Sequence, residues 1–130
     1  MKAFIAALLL IMSSSSVAMD NVVPNKLIQL ILDSEELEPY WHVDIKGRVP
    51  LNILHNYVGT STGISKFGKN VILIKSPNEL PYFEINNFSI KSDLWHVKVS
   101  YSVEGVIGKF TAKQLPNGMW QLMTAKVVEK

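Results

Sequence analysis

Leu94-Trp95-His96-Val97-Lys98-Val99-Ser100-Tyr101-Ser102-Val103-Glu104 is the stretch whose reading decides the fold. Trp95, Val97, Val99, Tyr101 and Val103 alternate strictly with His96, Lys98, Ser100, Ser102 and Glu104. That period of two belongs to a β-strand with one face on a core and the other in water. Toward the C-terminus, residues 106–114 continue the pattern, Phe110 and Ala112 set against Lys109, Thr111 and Lys113. Leu115-Pro116-Asn117-Gly118 then predicts a hairpin turn, because proline presets φ and glycine reaches the positive φ that other residues resist. Residues 119–128 form the return strand. Met119, Met123 and Val127 on one side and Trp120, Leu122 and Val128 on the other are all apolar, so this strand is expected to be covered on both faces.

Toward the N-terminus the signals weaken. Residues 82–85 and 71–75 are short extended segments, separated by a break that holds Pro77 and Pro81. Residues 56–70, with Gly59, Gly63 and Gly68 among hydroxyl side chains, form the longest loop-like stretch and a second candidate contact surface. Residues 49–54 are a further apolar segment, and residues 40–45 alternate as a half-buried strand. Before them, residues 25–38 predict the one helix: Leu27, Ile28, Leu30, Ile31 and Leu32 crowd a broad apolar face, and Pro24 suits the first turn. Asp33, Glu35, Glu36 and Glu38 crowd its C-terminal end, where the helix dipole disfavours negative charge. The expected fold class is α+β: one N-terminal helix packed on a curved antiparallel sheet of about four to six strands.

Ahead of the helix, Lys2 precedes an unbroken apolar run of about ten residues, Ala3 to Met12, which gives way to four serines. The run is too short for a bilayer, whose hydrocarbon needs about 20 apolar residues. Ser16 and Ala18 are the small residues a signal peptidase requires, so residues 1–18 are expected to be a cleavable signal peptide and residues 19–130 a single exported domain, periplasmic or secreted. With no cysteine the chain has neither a lipid attachment thiol nor a disulfide, and its stability must come from packing. Three Trp, four Tyr and the Phe residues that remain once Phe4 leaves with the signal peptide supply the area for that packing. A net charge of only +2 does not suggest a nucleic-acid partner, and no stable membrane anchor is expected.

Val103-Glu104-Gly105, the segment from Lys109 to Lys113 and the closing Asn117-Gly118-Met119-Trp120-Gln121-Leu122 together resemble the C-terminal strands of small cystatin-like or nuclear-transport-factor-like domains. The resemblance implies a helix packed into a cone of curved antiparallel sheet. The single evident helix favours the cystatin-like form. Members of that superfold include enzymes, inhibitors and binding modules, so it implies no particular activity.

Catalytic motifs are weak. Gly59-Thr60-Ser61-Thr62-Gly63 matches the nucleophile elbow by letter, with His96 or His55 as a base, but it lacks the strand and helix that make the elbow work. The same loop lacks the Gly-Lys-Ser/Thr ending of a phosphate cradle. His42 with Asp44 is the only local metal-ligand pair, to be joined by His55 and His96 only through the fold. Glu79, Glu84, Asp93 and Glu104 have no glycosidase spacing. No catalytic residue, metal or cofactor is therefore expected. The expected function is that of a binding protein acting through a protein partner, of the kind that inhibits or confers immunity against an envelope-acting enzyme. Lys98, Lys109, Lys113 and Lys91, with Lys126, are its candidate partner-binding residues on the wet sheet face. The alternative is a small-ligand binder or degenerate enzyme, with Trp41, Trp95, Tyr101 and Trp120 lining a pocket between helix and sheet; a further one is a subunit of an envelope assembly.

Overall fold

A computed structural model describes residues 21–77 and 81–130. The expected signal peptide, residues 1–18, and Glu79 lie outside the described residues. The fold is α+β. Helix α1 spans Asn25–Leu32 and is followed by strands β1 (Asn52–Leu54), β2 (Ser65–Lys66), β3 (Lys69–Asn70), β4 (Ile72–Ile74), β5 (Phe83–Lys91), β6 (Leu94–Tyr101), β7 (Val106–Gln114) and β8 (Trp120–Glu129). Six strands make the main sheet in the order β4-β1-β5-β6-β7-β8, and β2 and β3 form a separate ribbon.

The decisive stretch behaves as its alternation predicts. Trp95, Val97, Val99 and Tyr101 face the core, where Val97, Val99 and Tyr101 are at most 2% exposed. Val103 leaves the pattern: the strand ends at Tyr101, a 3-10 turn spans Ser102–Glu104, and Val103 is 45% exposed. Strand β7 takes the predicted bounds and pairs with β6 so that Val99 lies opposite Gly108 and Val97 opposite Phe110. Helix α1 buries Leu27, Ile28, Ile31 and Leu32 on this face and lies against β8. Each such side chain contributes about 2 kcal/mol by leaving water.

Four expectations need correction. The helix is neither at the chain's N-terminus nor as long as residues 25–38: it stops at Leu32, where the Asp33 and Ser34 amides bond back to the Gln29 and Ile31 carbonyls. Asp33 is the helix C-cap, with Lys66 Nζ 3.4 Å from its carboxylate, and Glu35, Glu36 and Glu38 sit in the turns that follow. Residues 40–45 are not a strand. A 3-10 turn covers Glu38–Tyr40, His42 takes φ 47°, and Val43 and Ile45 are exposed, so the apparent alternation never acquires an extended backbone. The six-stranded main sheet is mixed instead of antiparallel, and among the described residues a two-stranded ribbon accompanies it. Strand β1 runs parallel to both β4 and β5 and is buried along its length, as parallel strands require. Finally, β8 is not covered on both faces. It is the sheet's edge, with Met123 and Val128 each 46% exposed.

The stretch 56–70 is a pinned structure. Asn25 Nδ2 donates to the Thr60 and Thr62 carbonyls at 3.2 and 2.9 Å, and Gln29 and Ser65 exchange two hydrogen bonds of 2.8 and 2.9 Å. Val58 and Ile64 from this stretch enter the core. Ser61 precedes the β2–β3 ribbon with no helix after it, so the nucleophile-elbow geometry is not formed.

Candidate functional site: a lysine row on the open sheet face

The face of β5–β8 turned away from α1 collects the side chains that the alternation leaves wet. Strand register decides which of them meet. Lys98 on β6 lies directly opposite Lys109 on β7, and Lys109 directly opposite Lys126 on β8. Asn87 on β5 completes the row beyond Lys98. The next row joins Ser89, His96, Thr111 and Thr124, with the two threonine hydroxyls 2.6 Å apart. Lys113 follows Lys109 and Thr111 on the same side of β7, opposite Gln121. Lys91 ends β5, paired with Leu94.

Adjacent strands are about 4.8 Å apart, and like charges directly opposite one another are destabilising. Among the described residues none of these lysines pairs with a carboxylate. Two shallow depressions meet at Lys98. One, of about 300 Å³, runs past His96, Lys109 and Thr111; the other, of about 440 Å³, runs past Glu84, Ser100 and Lys130. The row is thus a concentrated positive surface with room beside it for an anionic group. Replacing the central lysine, Lys109→Gln, is expected to stabilise the protein by about 0.5 kcal/mol at low ionic strength. The gain should shrink in high salt, where a Debye length of about 3 Å screens the row. Urea unfolding at two salt concentrations measures it. A loss of stability at low salt would show that the lysines do not repel.

The four aromatic residues expected to line one pocket fall into two groups. Trp41 and Tyr101 are fully buried with ring centroids 5.1 Å apart, and Phe83 and Phe67 stand 6.0 and 5.8 Å from Trp41. Trp41, Tyr101 and Phe83 belong to the hydrophobic core, and Phe67 packs against it. Trp95 and Trp120 meet edge-on at 5.5 Å at the other end of the sheet. Trp120 borders a cavity of about 330 Å³ with Lys26, Leu30 and Met119, whereas Trp41 borders one of about 650 Å³ with His42, Lys66 and Phe67.

Sequence reasoning missed one cluster. Arg48, only 7% exposed, donates to Glu104 Oε2 at 2.5 Å, and His42 Nδ1 donates to the same oxygen at 2.8 Å. The His42 hydrogen bond, aided by Arg48 and opposed by burial, holds the Glu104 carboxyl below its ordinary value. Burial pushes the Tyr101 phenol up, against the nearby Arg48 charge, whose guanidinium lies 5.9 Å from the ring centroid. The cluster joins the turns at 42–48 to the β6–β7 connection across 56 and 62 residues of sequence, so no local spacing could announce it. His42 is committed to Glu104 and not to Asp44, and among the described residues no three His, Asp or Glu side chains are placed to hold a metal ion. No described helix is long and apolar enough to cross a membrane.

Comparison with protein-family models, curated proteins and solved structures returned no match.

Proposed function

We propose that this is an exported binding protein that acts by docking an acidic protein partner on the open face of its sheet, in the manner of an inhibitor or immunity protein. The observation that carries the reading is the alignment of Lys98, Lys109 and Lys126 in one cross-strand row. Three unpaired like charges in register weaken the sheet when it is alone, and an acidic surface laid over them converts that repulsion into attraction. Interaction surfaces are commonly kept at such a loss of stability. The burial of Trp41 and Tyr101 against each other in the core favours this open face over an interior ligand site.

The test is capture from envelope extract on the immobilised protein, beside a variant carrying Lys98→Glu, Lys109→Glu and Lys126→Glu, followed by titration of the purified partner. One stoichiometric acidic protein is expected, lost in the variant and weakening steeply as salt rises. A partner retained equally by the variant would remove the row from the interface. No partner from any relevant extract would sink the reading.

A further inference from the structure

The far end of the main sheet carries a second surface of different chemistry. Two hairpins turn there. Ser92 and Asp93, both at positive φ (51° and 65°), make a two-residue turn between β5 and β6, and residues 115–118 turn β7 into β8, closed by the Leu115 amide bonding the Met119 carbonyl. On the helix side of the sheet, Ile90 pairs with Trp95, Trp95 pairs with the small, buried Ala112, and over that alanine the ring of Trp95 reaches Trp120. Phe88 stacks on Trp95 at 5.4 Å and Tyr57 meets Phe88 at 5.6 Å. Apolar side chains stay in water at this end: Met119 is 63% exposed, Ile90 48% and Tyr57 39%. Exposed Lys26 on α1 lines the same cavity as Met119 and Trp120, and Lys91 and Lys113, beside the first and second turns, present their charge at this end from the open face; among the described residues the turns themselves carry one carboxylate, Asp93.

We propose that this hairpin end docks reversibly on an anionic lipid surface, with Met119 and Ile90 entering the headgroup region and Trp95 and Trp120 at its boundary. Tryptophan suits that position because its ring is apolar and its N–H is polar. Apolar tips flanked by lysines gain from both acyl chains and anionic headgroups. A second copy of the chain is disfavoured as occupant, because the lysines of the two ends would face one another. A protein partner would need pockets matched to two protruding turns, whereas a fluid lipid surface adapts to them. The docking is peripheral and uses the hairpin tips; Lys91 and Lys113 share the open face with the lysine row but stand at its hairpin end, apart from the aligned Lys98, Lys109 and Lys126.

Co-sedimentation with phosphatidylcholine vesicles, with and without phosphatidylglycerol, tests the proposal, with tryptophan emission as a second readout. Binding is expected only with phosphatidylglycerol, with a blue shift that Trp120→Phe diminishes and that buried Trp41 does not contribute. Lys26→Gln, Lys91→Gln and Lys113→Gln together should weaken partition about 100-fold, and Met119→Ser about tenfold, with melting temperatures near that of the parent. Every form spans residues 19–130, the chain expected after cleavage, so the apolar run from Ala3 to Met12 takes no part in the binding. Glutamine at Lys98, Lys109 and Lys126 should leave the blue shift in place, which separates this inference from the function proposed above. Absence of binding to anionic vesicles, binding unchanged by the hairpin-end variants, or capture of a protein by this end in place of lipid would each overturn it.

Discussion

Glu104→Ala is expected to lower the unfolding free energy by about 3 kcal/mol, because it leaves the Arg48 guanidinium buried without its counter-charge. Removing both partners of such a pair is far less damaging than removing one, so Arg48→Met combined with Glu104→Leu should recover most of the loss. Urea unfolding of the two single variants and the double variant measures the coupling; a Glu104→Ala protein within 1 kcal/mol of the parent, about a third of the expected loss, would show that the pair is not energetically buried. A pH dependence follows from the same group. Its carboxyl titrates below its ordinary value of 4.5 in the folded chain, so its stabilisation is complete above that value and disappears as the pH falls through the lower, folded one. The parent should therefore lose stability on acidification more steeply than Glu104→Gln, and a slope shared by both would assign acid sensitivity to other carboxylates.

Gly108→Val is expected to cost about 3 kcal/mol, and Gly108→Ala about 2 kcal/mol. Gly108 sits in regular extended backbone, so the constraint is space: a Cβ there would lie 2.8 Å from Phe110 Cε1 and 3.0 Å from Val99 Cγ2, both on buried residues. The Phe110 ring cannot swing away without opening the core over β6. Phe110→Leu in the Gly108→Ala background should restore part of the lost stability, because the two sites share one volume. Thermal and urea unfolding of the single and double variants check this; additive losses would mean that the ring is not what the new methyl meets.

The legible parts of the fold were those where periodicity ran long enough to be decisive. Strands β6 and β7 combine alternation over eight or nine residues with a glycine at the close approach, and their pairing follows from adjacency. Residues 40–45 show the same alternation over a shorter span, and the chain spends it on turns; the burial of Trp41 and the positive φ of His42 came from packing and from Glu104, neither of which is local. The parallel pairing of β1 could not be read, because nothing in Asn52-Ile53-Leu54 says which strands will flank it. For the site, alternation assigns Lys98, Lys109 and Lys113 to the wet face, with Lys91 and Lys126 at its margin. Register, and with it the bulge between Thr111 and Ala112, selects Lys98, Lys109 and Lys126 as the aligned set and moves Lys126 from the margin to the row.

The unequal sequence separations within the sheet impose an order in time. Strands β5 to β8 join consecutive segments, so each closes a short loop, whereas Asn52 must find Ile72 and Ile53 must find Phe83 across much longer ones. Loop closure becomes more expensive with length, and parallel pairing is slow for that reason. The four-strand meander should assemble first and the β4–β1 edge dock last. Native-state hydrogen exchange is then expected to be fastest at β1 and β4, and substitutions there should speed unfolding while leaving the refolding rate nearly unchanged.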